Sequence, residues 1–167
     1  MNQYGYLKNL FDYYVLNQKY SNQVVGLKFF NVYGPGEENK GEMSSVILKK
    51  YNELSSGKRP SLFKSYDSNI RDGEQMRDFI FVEDICSIIY YFLENSTISG
   101  IFNVGTENPK SFNELVHVLM GCMNIEREID YIEFPENLKG QYQSYTKATL
   151  NKLRKIGYQK EFTSLEE

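Results

Sequence analysis

Val24-Val25-Gly26-Leu27-Lys28-Phe29-Phe30-Asn31-Val32-Tyr33-Gly34-Pro35-Gly36 is a short, mostly apolar run that ends in a glycine–proline break. A run of this length with little polar alternation reads as a strand of the kind buried in a parallel sheet. The stretch 31–36 is then expected to turn sharply out of that strand. Upstream, Leu7, Leu10, Phe11, Tyr14 and Val15 keep the i, i+3, i+4, i+7, i+8 spacing of a helix whose apolar stripe packs inward. Ser21-Asn22 breaks that helix before the strand begins.

Downstream, the alternation of helix and strand continues. Residues 37–42 are loop-like, 43–54 helical, 61–63 a short strand, and 64–76 a polar excursion. Residues 77–82 return as a strand, and Ile85, Ile88, Ile89, Phe92 and Leu93 mark the next helix. Residues 100–105 are another buried-type strand. Ser111 and Glu114 form a capping box ahead of a stripe of Phe112, Leu115, Val116, Leu119 and Met120. A strand near 129–133 and a helix over 146–156 complete the pattern. Strands alternating with helices imply α/β architecture.

The 167 residues are one domain's worth of chain, enough to bury a core. A net charge of -3 leaves no footprint for nucleic acid or an anionic membrane. The basic cluster Lys152, Arg154 and Lys155 reads as the solvated face of the last helix. Cys86 and Cys122 are isolated within apolar helical patterns, so no metal spacing or disulfide framework arises and a reducing cytoplasm is expected. No targeting or membrane-spanning segment is read. Asp67 to Gly73 has the flavour of a calcium loop, but Asp72 stands where the required glycine belongs and Arg71 occupies a ligand position. His117 is the single histidine, on a helix without a partner, so Ser-His-Asp and histidine-metal mechanisms are not expected. No metal site is expected.

Tyr4 and Lys8 stand four residues apart, one turn apart on one helix face. An ammonium there can lower a phenol from its usual value of about 10 and make it a usable acid/base. By itself this spacing is common on helices. It gains meaning from Lys28-Phe29-Phe30-Asn31-Val32-Tyr33-Gly34-Pro35, from Arg77-Asp78-Phe79-Ile80-Phe81-Val82-Glu83-Asp84, and from Gly100-Ile101-Phe102-Asn103-Val104-Gly105-Thr106. In this order these motifs resemble the extended short-chain dehydrogenases that act on nucleotide-diphosphate sugars, across nearly the whole chain. Asn39 to Val46, Phe134 to Gln143 and Leu153 to Tyr158 most resemble the ADP-glycero-manno-heptose 6-epimerase branch of that family.

The resemblance implies a fold class: α/β, the C-terminal half of an extended short-chain dehydrogenase, with the end of a Rossmann-type parallel sheet and a small α/β substrate domain. Residues 1–36 would be the remnant of the dinucleotide-binding domain and 37–167 mainly substrate-binding, with segments around 77–105 returning to the cofactor domain. It implies NADP-dependent epimerisation at C6 of an ADP-sugar, within a full-length enzyme that forms a homo-oligomer and supplies a heptose precursor of bacterial lipopolysaccharide. Tyr4 and Lys40 would be the two acid/base groups. Tyr4, Lys8, Val32 and Lys40 would touch NADP. Asn31, Glu42, Lys49, Phe63, Lys64, Ser65, Tyr66, Arg77 and Tyr142 would meet the substrate, with Arg77 on the diphosphate.

The pattern departs from the family at several points. Leu7 and Glu42 replace residues that are usually small, and residues 67–75 read as an insertion. No glycine-rich turn able to cradle a pyrophosphate occurs in the sequence, so NADP is expected to be held largely by residues upstream. Two other readings stand beside this one. The chain could be a truncated, non-catalytic fragment or a module completed by a partner, or the parent enzyme could be another nucleotide-sugar 4-epimerase or a dehydratase.

Overall fold

The structure is a computed structural model that describes residues 3–136, 139–140 and 142–167. Its helices are α1 (Gln3–Leu16), α2 (Val46–Ser55), α3 (Val82–Glu94), α4 (Phe112–Met123) and α5 (Asn151–Lys155). Its strands are β1 (Val25–Phe29), β2 (Asn31–Tyr33), β3 (Ser61–Phe63), β4 (Met76–Arg77), β5 (Phe79–Phe81), β6 (Gly100–Val104), β7 (Lys110–Ser111) and β8 (Asp130–Ile132).

The run from Val25 to Tyr33 does not turn away at Asn31, as the sequence reading expected. It changes partner. β1 pairs in parallel with β6, and β2 pairs in parallel with β5. At the changeover Phe30 N–H donates to the Val104 carbonyl at 2.9 Å and Asn31 N–H to the Asp78 carbonyl at 3.0 Å. The chain stays extended because a second acceptor waits where the first ladder ends. The turn falls at Gly34, whose φ of 138° favours glycine. A Cβ there would lie 2.6 Å from Val82 Cγ1 and 2.9 Å from the Phe81 ring.

Phe79 and Ile80 are neighbours on β5 and so point to opposite faces. Ile80 joins a core with Ile88, Phe92, Phe102, Val104 and Leu153. Phe79 joins a second core with Leu54, Leu62, Leu115, Val116 and Met120. β5 is therefore the wall between the two cores. The second core carries β3 and β8, paired in parallel, and β4 and β7, paired antiparallel.

The capping box forms as expected: Glu114 N–H donates to Ser111 Oγ at 3.1 Å, and Ser111 N–H to Glu114 Oε2 at 2.7 Å. α2 begins three residues later than the sequence reading, because Gly41–Met43 winds into a 3-10 turn and Ser45 caps the helix by accepting from Leu48 N–H at 3.2 Å. Val82 opens α3 instead of ending the preceding strand.

Two expectations fail for tertiary reasons. Residues 146–150 are not helical: Thr146 N–H donates to the Met76 carbonyl at 3.2 Å, so the chain enters this stretch extended against β4, and Ala148 N–H then donates to Asp78 Oδ2 at 2.8 Å. The stripe on α1 is not packed either: Leu7, Leu10, Phe11 and Tyr14 are each at least half exposed. Periodicity reports which face is apolar, and no described element covers this one. α1 is tethered instead by an Asp12–Lys28 ion pair to β1. Within the basic cluster, Lys152 and Lys155 are exposed, but Arg154 is not merely solvated. It donates to the carbonyls of Tyr158 and Lys160 and lies over the Phe162 ring.

Candidate active site

β4 is the organising element. Met76 N–H donates to the Ser144 carbonyl at 2.9 Å and Thr146 N–H returns to the Met76 carbonyl at 3.2 Å. This clamps the 144–146 segment alongside β4 and brings Tyr142 to Arg77, with the guanidinium carbon 4.5 Å from the Tyr142 ring centroid. On its other side the same group lies 5.7 Å from the Phe112 ring. Stacking between two aromatic faces holds a guanidinium plane without consuming its donors.

Arg77 is 8% exposed. Nη1 donates to the Met76 carbonyl at 2.8 Å, and among the described residues no carboxylate pairs with it. Its neighbour Asp78 does not pair with it, because that carboxylate accepts from backbone donors of Thr106, Glu107 and Ala148. Burial pulls the guanidinium below its usual range, with Tyr142 and Tyr66 opposing. Buried charges are normally paired, since desolvation costs several kcal/mol. A stacked, buried guanidinium with spare donors therefore fits a planar or forked anion brought by a ligand.

A cavity of about 360 Å³ opens beside it, lined by Lys49, Phe63, Gln75, Phe112, Ile132 and Tyr142 among others. Lys49, Phe63 and Tyr142 thus meet in one place, as the sequence reading required. Tyr66 joins them from behind: its hydroxyl donates to the Tyr142 carbonyl at 2.6 Å, and its ring sits 4.9 Å from that of Phe134. Phe134 also contacts the rings of Phe63 and Tyr142 at 5.4 and 4.9 Å. This buried hub was not among the expected site residues, and neither was Gln75. No local signal marks either, because both matter through contacts made across the chain.

The two lysines of the cavity wall behave differently. Lys50 is buried and donates to Glu53 Oε1 at 2.7 Å and Ser61 Oγ at 3.1 Å, so its charge is satisfied internally. Lys49 Nζ donates to the Glu42 carbonyl at 2.7 Å and to Glu42 Oε2 at 3.3 Å. The anion introduced by Glu42 thus meets an ammonium at the cavity rim, in an exposed pair that a ligand can displace cheaply.

Lys64 pairs with Glu133 across the β3–β8 ladder, which raises its pKa, the hydrogen bond being the larger cause. Ser65 is used in its own loop, its N–H donating to Asp72 Oδ1 at 2.7 Å and its hydroxyl to the Asp67 carbonyl at 3.0 Å. Neither lines the cavity. Asp67 and Asp72 shape this loop, and no group of residues able to hold a metal ion occurs among the described residues. His117 is exposed, its Nδ1 2.7 Å from the Asn113 carbonyl.

Tyr4 and Lys8 lie together on α1, the ammonium 5.5 Å from the Tyr4 ring centroid. Asn31 is exposed and Val32 half-buried on β2. Lys40 is exposed immediately before the 3-10 turn. Its loop is held by Glu37, which is 7% exposed and accepts from Gly34 N–H at 3.2 Å and Ser45 N–H at 2.6 Å. That carboxylate, unremarked in the sequence, joins the turn after β2 to the start of α2.

Burial pushes the Tyr33 phenol up to about 12, with Asp84, Glu166 and Glu167 adding to it. In the unfolded chain it titrates near 10. Its contribution to stability is therefore complete below pH 10 and is lost as pH rises through 12. Urea midpoints measured from pH 9 upward should fall, and those of a Tyr33→Phe variant should fall less steeply. Identical slopes would contradict the burial argument.

The parallel β1–β6 and β2–β5 pairs, a Tyr/Lys helix face and a buried arginine beside a cavity describe an α/β protein. Residues 1–105 match the NAD dependent epimerase/dehydratase family, and the chain belongs to that family. It is 45% identical to the ADP-L-glycero-D-manno-heptose-6-epimerase of Fusobacterium nucleatum subsp. nucleatum, over all of this chain and 52% of that protein. It is 44% identical to the protein of the same name from Nitratidesulfovibrio vulgaris, again over all of this chain and 52% of the relative. The chain thus spans about half the length of the curated relatives it matches. Among solved structures, Helicobacter pylori ADP-L-glycero-D-manno-heptose-6-epimerase superposes with a TM-score of 0.81 at 30% identity, covering 99% of this chain and 48% of that one. Thermotoga maritima UDP-glucose 4-epimerase gives 0.77 at 22% identity over 98% of this chain and 50% of that one, which establishes a shared fold alone. No helix among the described residues is long and apolar enough to cross a membrane.

Proposed function

We propose that the whole protein is an NADP-dependent epimerase acting at C6 of an ADP-linked glycero-manno-heptose, a precursor for lipopolysaccharide. In this reading these 167 residues supply its sugar-nucleotide site and its proton-transfer groups. The observation that carries it is Arg77: a buried guanidinium stacked on Tyr142 with no carboxylate partner among the described residues. A diphosphate supplies the missing anion and uses the free donors in a forked contact. The identity to heptose epimerases along the entire chain supports the choice of sugar.

The parallel strand pairs support assigning residues 1–36 and segments around 77–105 to the cofactor-binding body, and most of 37–167 to the substrate-binding body. Tyr4 and Lys8, a phenol and an ammonium on one helix face, suit the nicotinamide-ribose end of a dinucleotide. When bound, NADP supplies the hydride acceptor and donor. The chain's own residues do the rest. Inverting a carbinol needs a proton taken from, and returned to, the alcohol oxygen on each face in turn. Tyr4 serves one face through its phenolic oxygen, with the Lys8 ammonium beside its ring, and Lys40 serves the other through Nζ. Val32 packs against the nicotinamide, and Asn31 orients the sugar beside it. Lys49, Phe63, Tyr66, Arg77 and Tyr142 hold the nucleotide end, with Lys64, Ser65 and Glu42 on its approach.

The test is turnover of ADP-heptose against UDP- and dTDP-hexoses by the whole protein, alongside an Arg77→Leu variant. Preference for the ADP-heptose and collapse of binding in Arg77→Leu are expected. Preference for a UDP- or dTDP-sugar would move the assignment to a 4-epimerase or dehydratase, and unaltered nucleotide binding by Arg77→Leu would remove its central observation.

A further inference from the structure

Gln75 lies one residue before β4, in the stretch that the family resemblance leaves as an insertion. It is 2% exposed. Its Nε2 is buried without a hydrogen-bond partner among the described residues, and the residue lines the cavity beside Arg77. Buried side-chain amides are nearly always partnered, because an unmet donor keeps its desolvation cost. The backbone that carries it is held: the Gln75 carbonyl accepts from Phe112 N–H at 3.2 Å, and Met76 N–H donates to the Ser144 carbonyl at 2.9 Å. A buried amide left unmet on a residue of the cavity wall is completed by a ligand group.

The position says which group. In extended backbone, residues two apart fall on one side, about 7 Å apart along the chain. Gln75 and Arg77 therefore address adjoining parts of one ligand. If Arg77 takes the diphosphate, Gln75 meets what is joined to it. The cavity that Gln75 lines is mostly apolar, with Leu62, Phe63, Phe112 and Ile132 in its wall. Such a surface suits the flat face of a base and offers little to a hydroxyl-rich sugar. A carboxamide presents a donor and an acceptor side by side, which is how Asn and Gln engage the edge of adenine.

We infer that Gln75 is a base-reading residue, hydrogen-bonding the edge of the nucleobase of the sugar nucleotide; this rests on the diphosphate reading of Arg77. The test is calorimetric binding of two probes to the whole protein. One is ADP; the other is ribose 5-diphosphate, which keeps the sugar and both phosphates and lacks the base. Gln75→Met should weaken ADP about tenfold or more, the value of one buried hydrogen bond, and leave ribose 5-diphosphate unchanged. Gln75→Asn, which retains the amide but withdraws it by one methylene, should show the same selective loss and guards against a folding defect in the first variant. Equal weakening of both probes, or of neither, would overturn the base-reading role while leaving the diphosphate site standing. Failure of the unsubstituted protein to bind either probe would overturn the diphosphate reading itself, and this inference with it.

Discussion

Tyr4→Phe in the whole protein is expected to lower epimerisation turnover by about 10²- to 10⁴-fold, the usual worth of a positioned acid/base group. Sugar-nucleotide binding should be unchanged. The split follows from where the residue sits. Tyr4 is 69% exposed on a helix with no buried residue, so removing its hydroxyl costs the fold nothing. It is far from the Arg77–Tyr142 cluster in sequence and does not line that cavity. What the change removes is the phenolic proton beside the Lys8 ammonium. Lys40→Met should act in the same direction, because Lys40 is likewise exposed and its loop is held by Glu37 rather than by its own side chain. Steady-state turnover and equilibrium binding, measured on the same samples, check both. Near-normal turnover in either variant would take that residue out of the proton-transfer pair.

Asp78→Ala should cost folding stability about 4 kcal/mol or more, a large part of the 5–15 kcal/mol available to a domain. Asp78 is fully buried. Its Oδ1 accepts from Thr106 N–H at 2.7 Å and the Thr106 hydroxyl at 2.8 Å. Its Oδ2 accepts from Glu107 N–H at 3.0 Å and Ala148 N–H at 2.8 Å. Removing the carboxylate orphans three backbone donors at once, each worth about 1–3 kcal/mol when left unmet in the interior. Asp78→Asn is no remedy, since its amide nitrogen would face N–H donors in place of an acceptor. The site is also too tight for rearrangement: a Cβ on Gly105 would lie 2.6 Å from Ala148 Cβ and 3.0 Å from Asp78 Oδ1. Urea unfolding should show a lower midpoint in both variants at an unchanged slope. A midpoint equal to that of the parent would mean these bonds are replaced by water at no cost.

Arg77 and Asp78 are adjacent and oppositely charged, yet they do not pair. The fold separates their duties because successive residues of an extended chain face opposite ways. One turns to the Tyr142 and Phe112 rings; the other turns inward and ties together the start of β5, the end of β6 and the 148 segment.

Much of the fold was legible from short-range patterns. The helices over 46–55, 82–94 and 112–123 follow apolar periodicity, and the Ser111–Glu114 cap forms as written. Strands at 25–29, 61–63, 100–104 and 130–132 follow their apolar runs. The motifs carrying the family resemblance are also contiguous stretches, and the family match bears them out. In the site, the meeting of Lys49, Phe63, Tyr66, Arg77 and Tyr142 was expected from the resemblance alone, since nothing in their spacing brings them together.

By itself, the sequence determined what depends on neighbours a few residues apart: element type and order, one helix cap, and the residues offered for chemistry. Only the tertiary structure decided what depends on distant partners. Met76 holds residues 144–146 extended alongside β4 and so shortens the last helix; β2 carries on past Phe30 because the Asp78 carbonyl receives it; the apolar face of α1 stays exposed because no described element lies over it. Among the described residues Arg77 is left without a carboxylate partner and Gln75 Nε2 without a hydrogen-bond partner, for the same reason. Burial and hydrogen-bond pairing are set by what lies across the interior, and a linear pattern does not carry that information.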